Sequence, residues 1–212
     1  MQNSETIDPL LEACVETYSE ARLAEKKGAH RIELCANLDV GGLTPSRELI
    51  EDVVLSVKIP VMVMVRPRAG NFTYTYEEVE EMKKTIVLCK ALGAAGLVFG
   101  VLTSKQLVDA EITGELCSFA HPLPVTFHKA IDETPDPVAA VQVLVNIPGI
   151  RRILTSGGAA TAMEGKAVIK KMMVAAGDAV TILAAGRVTL ENLQEVHHAI
   201  GAREYHGRRI VF

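Results

Sequence analysis

Val61-Met-Val-Met-Val65 is an unbroken apolar run, and it ends in the basic turn Arg66-Pro-Arg68. Such a run, without polar residues at alternate positions, is typical of a strand buried on both faces, as in a parallel sheet covered by helices. The segment Tyr76 to Leu92 has a helical spacing of apolar residues instead, and Thr75 with Glu78 forms a capping box at its start. A buried strand followed by an amphipathic helix is the repeating unit of α/β folds.

The same unit recurs along the chain. Four joints between a helix and the next strand carry glycine where a left-handed helix cap is expected, and they read Lys27-Gly-Ala-His-Arg-Ile32, Leu92-Gly-Ala-Ala-Gly-Leu97, Pro148-Gly-Ile-Arg-Arg-Ile153 and Ile200-Gly-Ala-Arg-Glu-Tyr205. Strands are predicted near residues 10–15, 31–36, 61–66, 96–102, 125–130, 151–156, 180–185 and 203–207. Eight strands with seven clear intervening helices predict a small TIM-type (β/α) barrel whose last helix is short or absent. We expect a single domain over residues 1–212.

Composition excludes several classes of function. The chain has 22 Lys and Arg against 26 Asp and Glu, a net charge of −4, so we expect no binding to nucleic acid or to an anionic membrane. No apolar stretch approaches the roughly 18–20 residues of a membrane span, and the first residues lack the features of a secretion signal. The four cysteines form no CxxC pair, which predicts reduced thiols and a cytoplasmic location. An apolar content of 49% favours a homo-oligomer.

Two cysteines lie on the first two predicted strands. Because side chains alternate faces, Glu12 and Cys14 point the same way, as do Glu33 and Cys35 on the next strand. Adjacent strands would place the two thiols side by side, and two thiolates are the donors that Cu(I) prefers. The alternative is that both thiols pack as small apolar groups, since free cysteine is among the most buried residue types.

Arginines follow the third strand. Arg66 and Arg68 each carry a guanidinium fork suited to carboxylate or phosphate, which predicts an anionic small-molecule ligand. Glu12 and Glu33 are candidate catalytic carboxylates at the same face of the barrel. A structural role remains open for them, because a carboxylate there also pairs with Arg66 or Arg68 and holds neighbouring strands in register.

Two glycine-containing turns lie in the second half of the chain. Thr155, Ser156 and Gly157 precede one predicted helix, and Gly186 precedes the next. Both turns resemble the backbone that cradles phosphate in barrels, so we assign them to ligand binding. Glycine before a helix also occurs by chance, and that alternative stays open.

Histidines end two of the strands. His128 is followed by Lys129 and Asp132, a grouping that suits a general base at the barrel mouth, and His206 ends the last strand. We therefore include His128, Asp132 and His206 among the candidate catalytic residues. A histidine near the end of a buried strand is as readily a hydrogen-bonded core group.

Seven segments together resemble the CutC family, the copper homeostasis proteins, over nearly the whole chain. They are Arg31-Ile-Glu-Leu-Cys35, Gly41-Gly-Leu-Thr-Pro-Ser46, Arg66-Pro-Arg68 with Gly70 and Phe72, Gly96-Leu-Val-Phe-Gly-Val-Leu102, Thr126-Phe-His-Lys-Ala130, Ile153-Leu-Thr-Ser-Gly157 and Glu204-Tyr-His206. The resemblance implies a TIM-type barrel, a cytoplasmic location and a role in copper tolerance, with Cys14 and Cys35 matching the cysteines favoured for Cu(I). It implies no known reaction. The turn Ala185-Gly-Arg187 departs from the glycine-richer family pattern, which weakens the case for a phosphate cradle there.

Two functional hypotheses follow. The first is a cytoplasmic copper homeostasis protein that binds Cu(I) through Cys14 and Cys35. The second is a TIM-barrel enzyme of unknown reaction that acts on an anionic carboxylate or phosphate compound. Six polar residues at the expected active face support it: Glu12, Glu33, Arg66, Arg68, His128 and His206.

Overall fold

Eight parallel strands close into one barrel in sequence order. A computed structural model describes residues 8–212. The strands are β1 (Leu10–Val15), β2 (Arg31–Leu34), β3 (Val61–Met64), β4 (Gly96–Phe99), β5 (Val125–Phe127), β6 (Ile150–Thr155), β7 (Thr181–Ala184) and β8 (Glu204–Gly207). Each strand pairs with its neighbours in sequence, and β8 pairs with β1. The predicted TIM-type barrel is confirmed.

Seven α-helices surround the barrel. They are α1 (Tyr18–Lys26), α2 (Arg47–Ser56), α3 (Tyr76–Ala91), α4 (Ala110–Ala120), α5 (Pro137–Leu144), α6 (Lys166–Ala176) and α7 (Leu193–Ile200). The capping box of Thr75 and Glu78 forms at the start of α3, as predicted. Between β8 and Phe212 no further helix occurs, and no helix within residues 8–212 is long and apolar enough to cross a membrane. The expected domain of residues 1–212 begins with residues 1–7, which lie outside the described part.

Most strands are shorter than predicted at their carboxyl ends. The third strand ends at Met64 and the fifth at Phe127, so Arg66 and His128 lie in the loops that follow. Because β-strands in a barrel give way to loops at the mouth, these polar side chains lie at the face where TIM barrels place their sites.

The two faces of β3 contact different cores. Val61, Val63 and Val65 pack with the helices in the main apolar cluster. Met62 and Met64 face the barrel interior, where they form a separate cluster with Cys14 and Cys35. We call these four residues the sulfur cluster. It joins the first three strands, because Cys14 lies opposite Glu33 and Glu33 lies opposite Met62.

Candidate functional site

The interior carboxylate of β2 lies between the two thiols. Oε2 of Glu33 is 3.2 Å from Sγ of Cys14 and 3.5 Å from Sγ of Cys35. Thiol and carboxylate donors of the three residues lie within 4.8 Å of one another, and all three residues are buried. The side-by-side placement expected from strand alternation is therefore present, and these donors are close enough to bind one metal ion.

His206 connects this group to a second carboxylate. Its Nδ1 lies 2.8 Å from Oε1 of Glu12, and its Nε2 lies 3.6 Å from Oε2 of Glu33. Glu12 and Glu33 are fully buried or nearly so, at 0% and 2% exposure. The imidazole thus lies between two carboxylates, one on β1 and one on β2.

An arginine lies beneath Glu12. Arg31 donates from Nε to Glu12 and from Nη2 to Glu204, the latter over 2.6 Å. Arg152 also donates to Glu204, over 2.9 Å. The predicted alternative for Glu12, a pair with an arginine that joins neighbouring strands, is thus present, but with Arg31 rather than Arg66 or Arg68. Sequence reasoning missed Arg31 and Glu204, although charged residues inside apolar runs were the available signal.

The pKa values of Glu12, Glu33 and His206 shift in different directions. Burial opposes ionisation of Glu12, but His206 and Arg31 outweigh burial and lower its pKa to about 2. Burial raises the pKa of Glu33 well above its usual value, with Cys14 and Glu12 adding to the rise, and the charge of His206 only partly offsets it. Burial lowers the pKa of His206, yet Glu33, Cys14 and Glu12 together raise it well above the usual value.

The two thiols differ as well. The neighbouring Cys35 thiol lowers the pKa of Cys14 to about 5, with His206 contributing and burial opposing. The same interaction with Cys14, together with burial, raises the pKa of Cys35 well above its usual value. The lowered pKa of Cys14 favours its thiolate at neutral pH, and the raised pKa of His206 favours a protonated ring beside it. A thiolate of this kind is suited to metal binding or to nucleophilic chemistry.

A pocket of about 170 Å³ opens above the sulfur cluster. We call it the inner pocket, and its lining includes Cys14, Glu33, Met64, Arg66, His128 and His206. Met64 was not singled out from the sequence. The available signal was the alternation of Met62 and Met64 on one face of β3, which places soft sulfur beside the cysteines.

Arg68 lies apart from the inner pocket. Its Nε donates to Glu78 over 2.5 Å, and its guanidinium lies over the ring of Tyr74 at 5.3 Å. Arg68 is absent from the lining of the pocket, whereas Arg66 is part of it. Of the two predicted ligand-binding arginines, only Arg66 therefore lines the inner pocket.

Asp132 binds the loop after β6. Its carboxylate accepts from Oγ1 of Thr155 over 2.5 Å, from the backbone N–H of Ser156 over 2.9 Å and from that of Gly158 over 3.0 Å. Oγ of Ser156 lies 2.9 Å from the same carboxylate, and Gly157 donates to Thr155. The turn does form a cradle for an anion, but the anion it holds is the side chain of Asp132.

The second glycine turn borders a wider pocket. Gly186 lines a pocket of about 570 Å³ together with the cationic residues Lys129, Arg187, Arg208 and Arg209. We call it the outer pocket. A side chain at Gly186 would come within 2.8 Å of Cβ of Ser156, so only glycine fits there. The outer pocket shares four lining residues with the inner pocket, so the two pockets adjoin: Cys14, Leu38, Lys129 and His206.

Comparison with known proteins gives a consistent result. The model of the CutC family matches residues 9–211. The copper homeostasis protein cutC homolog of Homo sapiens is 45% identical over 197 residues, which cover 93% of this chain and 72% of that protein. A family protein CutC of Pasteurella multocida is 39% identical, covering 92% of this chain and 80% of that protein. The crystal structure of CutC from Streptococcus agalactiae matches with a TM-score of 0.90 at 35% identity, covering 95% of this chain and 99% of that one.

Proposed function

The chain belongs to the CutC family, and from this premise we propose that it is a copper homeostasis protein that binds Cu(I) through Cys14 and Cys35. The observation that carries the proposal is the sulfur cluster, in which two cysteines and two methionines of adjacent strands meet inside the barrel. Thiolates and thioethers are the ligands that select Cu(I).

The donor set fits this ion. The pKa of Cys14, lowered to about 5, supplies a thiolate at neutral pH, so that less proton release opposes metal binding. Met64 lines the inner pocket with Cys14, and its thioether is a further soft ligand of the same cluster. Binding to thiolates requires a reducing compartment, which agrees with the expected cytoplasmic location.

The test is a competition titration with a Cu(I) chelator under anaerobic, reducing conditions. The wild-type chain should bind one equivalent. Cys14→Ser and Cys35→Ser should each lose at least about 100-fold in affinity, and Met64→Leu about 10-fold. Cys89→Ser and Cys117→Ser are matched controls, because both cysteines are buried among helices away from the barrel interior. Equal affinity in all variants would contradict the proposal.

The expected homo-oligomer is part of the proposal. Large apolar side chains on the helices support it, since Leu55 and Val174 are 79% and 84% exposed. Sedimentation of the wild type beside Leu55→Glu and Val174→Glu tests it. A monomeric wild type would contradict this part alone.

A second candidate is an enzyme that acts on a small organic anion by acid–base chemistry. The position of His206 between Glu12 and Glu33 supports it, because a proton held there can move between an imidazole and a carboxylate at the pocket wall. Screening small carboxylates and phosphate esters for turnover tests it. For any compound turned over, His206→Gln and Glu33→Gln should lower kcat by about 100-fold or more, and unchanged turnover would exclude this chemistry.

A further inference from the structure

Arg66 is a buried cation without a carboxylate partner. It is 5% exposed, and among residues 8–212 no carboxylate forms an ion pair with it. Its Nη atoms donate to the backbone oxygens of Val40, Gly42 and Gly70, over 3.2, 3.1 and 2.8 Å. These neutral acceptors fix the guanidinium, and the ring of Phe72 lies 4.7 Å from it, but neither supplies a counter-ion. A buried charge of this kind is costly unless a counter-ion meets it.

Two donors at this position have no acceptor within the described chain. Nε of Arg66 is buried and unpartnered, and so is Nε2 of His128, a residue that is 4% exposed. Nδ1 of His128 accepts from the backbone N–H of Ala130 over 3.3 Å, so the proton of the neutral ring is on Nε2. Both residues line the inner pocket. An oxygen-bearing anion in this pocket would pair with both donors.

A second group of cations lines the outer pocket. Arg208 is engaged by Glu16 over 2.8 Å, and Lys129 lies 3.7 Å from Asp132. Arg187 and Arg209 have no carboxylate within ion-pair distance anywhere in residues 8–212. The cationic outer pocket is therefore only partly neutralised by the chain itself.

The loops that carry these arginines are fixed to each other. A side chain at Gly207 would come within 2.1 Å of the carbonyl oxygen of Val188, so the loops after β7 and β8 touch along their backbones. Leu190 donates to the carbonyl oxygen of Arg209 over 2.9 Å. Arg187 holds a left-handed conformation, with φ of 55°, that non-glycine residues seldom adopt. Strained residues on a fixed frame are typical of ligand-binding positions.

We propose that the barrel mouth binds a small phosphorylated carboxylic acid, with its carboxylate against Arg66 and His128 and its phosphate against Arg187 and Arg209. Guanidinium forks suit both groups. The loop after β6 is closed to the phosphate because Asp132 already occupies its donors. Loops after the seventh and eighth strands are also where TIM barrels frequently bind phosphate.

This inference names the class of ligand for the second candidate function. Only the turnover of that ligand rests on the proposed enzyme, whereas its binding does not. Binding is measured by calorimetry on copper-free, full-length protein. The probes are phosphoglycolate, 3-phosphoglycerate and 4-phosphoerythronate, compared with glycerate, glycerol 3-phosphate and inorganic phosphate. At least one of the phosphorylated acids should bind 10-fold or more tightly than every probe that lacks one of the two groups.

Paired variants assign the two ends of the ligand. Arg187→Ala and Arg209→Ala should each lower the affinity for the phosphorylated acid at least 10-fold and leave the affinity for glycerate unchanged. Arg66→Lys and His128→Asn should lower the affinity for the phosphorylated acid and leave the affinity for inorganic phosphate unchanged. Arg203→Ala is the matched control for net charge, because Arg203 is 80% exposed and lies at the amino end of β8. Its affinity should equal that of the wild type.

The outcomes separate this inference from the proposals above. If no phosphorylated acid exceeds inorganic phosphate, or if Arg187→Ala and Arg209→Ala bind as the wild type does, the inference is overturned. Specific binding without turnover supports the inference and counts against the enzyme. Cu(I) titration is a separate measurement, although Cys14 and Met64 line the same inner pocket as Arg66 and His128. Because calorimetry uses copper-free protein, failure of either measurement leaves the result of the other intact.

Discussion

Nδ1 of His206 lies 2.8 Å from Oε1 of Glu12, although 194 residues separate them in the sequence. Barrel closure causes the contact, since β8 pairs with β1 and places His206 directly opposite Glu12. The contact orients the ring so that Nε2 faces Glu33. His206 therefore connects the ion pair of Arg31 and Glu12 to Glu33, which contacts the thiol of Cys14.

Loss of the Glu12 charge should destabilise the barrel. Glu12→Gln leaves Arg31 with one carboxylate partner instead of two and removes the anion at Nδ1 of His206. Because breaking a buried ion pair costs about 3–5 kcal/mol, we expect the free energy of unfolding to fall by about that amount. The pKa of His206, which Glu12 helps to raise, should fall as well. Urea denaturation and an NMR titration of His206 measure the two effects.

Glu16→Gln is the matched control. Glu16 pairs with Arg208, which is 56% exposed, and surface pairs of this kind contribute about 0–1 kcal/mol. An equal loss in the free energy of unfolding for Glu12→Gln and Glu16→Gln would mean that the buried ion pair of Glu12 stabilises the fold no more than a surface pair does.

Cys14 should be the reactive thiol of the chain. Its pKa is lowered to about 5 and it lines both pockets, whereas burial raises the pKa of Cys89 and Cys117 to about 12. Because the thiolate is the nucleophile, a small alkylating agent at pH 7 should modify Cys14 first. Peptide mass spectrometry after short exposures identifies the site.

The rate should stay nearly constant from pH 8 to pH 6 and fall only as the pH approaches 5. A rate that declines steadily below pH 9 would indicate an ordinary thiol and contradict the lowered pKa. Alkylation in urea provides the reference, since all four cysteines should then react alike.

The barrel was predictable because its strands are local features of the sequence. Apolar runs such as Val61–Val65 marked the strands, and period-two alternation placed Cys14 with Glu12 and Cys35 with Glu33 on the inner face. The direction of a side chain beyond a strand end is not local in this way. Arg66 and Arg68 are two residues apart, yet the loop after Pro67 directs one inward and the other to Glu78.

The sequence predicts which polar residues lie at the candidate site better than it predicts which residues they hydrogen-bond to. Asp132 was selected as a catalytic group, but its hydrogen bonds go to a loop 23–26 residues later in the chain. Glu12 is a sequence-predicted site residue, but its partner Arg31 is not, because the pattern of a single strand does not fix its register with the next strand. The sequence thus identifies polar groups at the mouth, and only the assembled barrel shows which groups neutralise one another.

Replacement of Asp132 should loosen the loop after β6. Asp132→Asn puts an amide where the carboxylate accepts from Thr155, Ser156 and Gly158. Hydrogen bonds to a charged acceptor contribute about 1.5–3 kcal/mol each, and the amide keeps part of this. We expect a loss of about 2–4 kcal/mol in the free energy of unfolding, measured by chemical denaturation.

Asp136→Asn serves as its control. Asp136 is an exposed N-cap of α5, a position where asparagine and aspartate are about equally stabilising. A negligible change is expected there, and a comparably small change in Asp132→Asn would show that the loop does not depend on the carboxylate.

His128 should make stability depend on pH in the acidic range. Burial, with the charge of Arg66 adding to it, lowers the pKa of His128 from 6.5 to about 3. Below pH 6.5 the unfolded chain therefore binds a proton that the folded chain does not. The contribution of His128 is fully present above pH 6.5 and is lost as the pH falls toward 3, with a slope of up to about 1.4 kcal/mol per pH unit.

His128→Gln removes the titrating group and keeps an acceptor for the N–H of Ala130. Between pH 6.5 and 4.5 the free energy of unfolding of the wild type should therefore fall by about 2 kcal/mol more than that of the variant. Urea denaturation at several pH values measures both curves. The difference between wild type and variant should be constant above pH 7, and parallel curves below pH 6.5 would mean that His128 is protonated in the folded barrel as readily as in the unfolded chain.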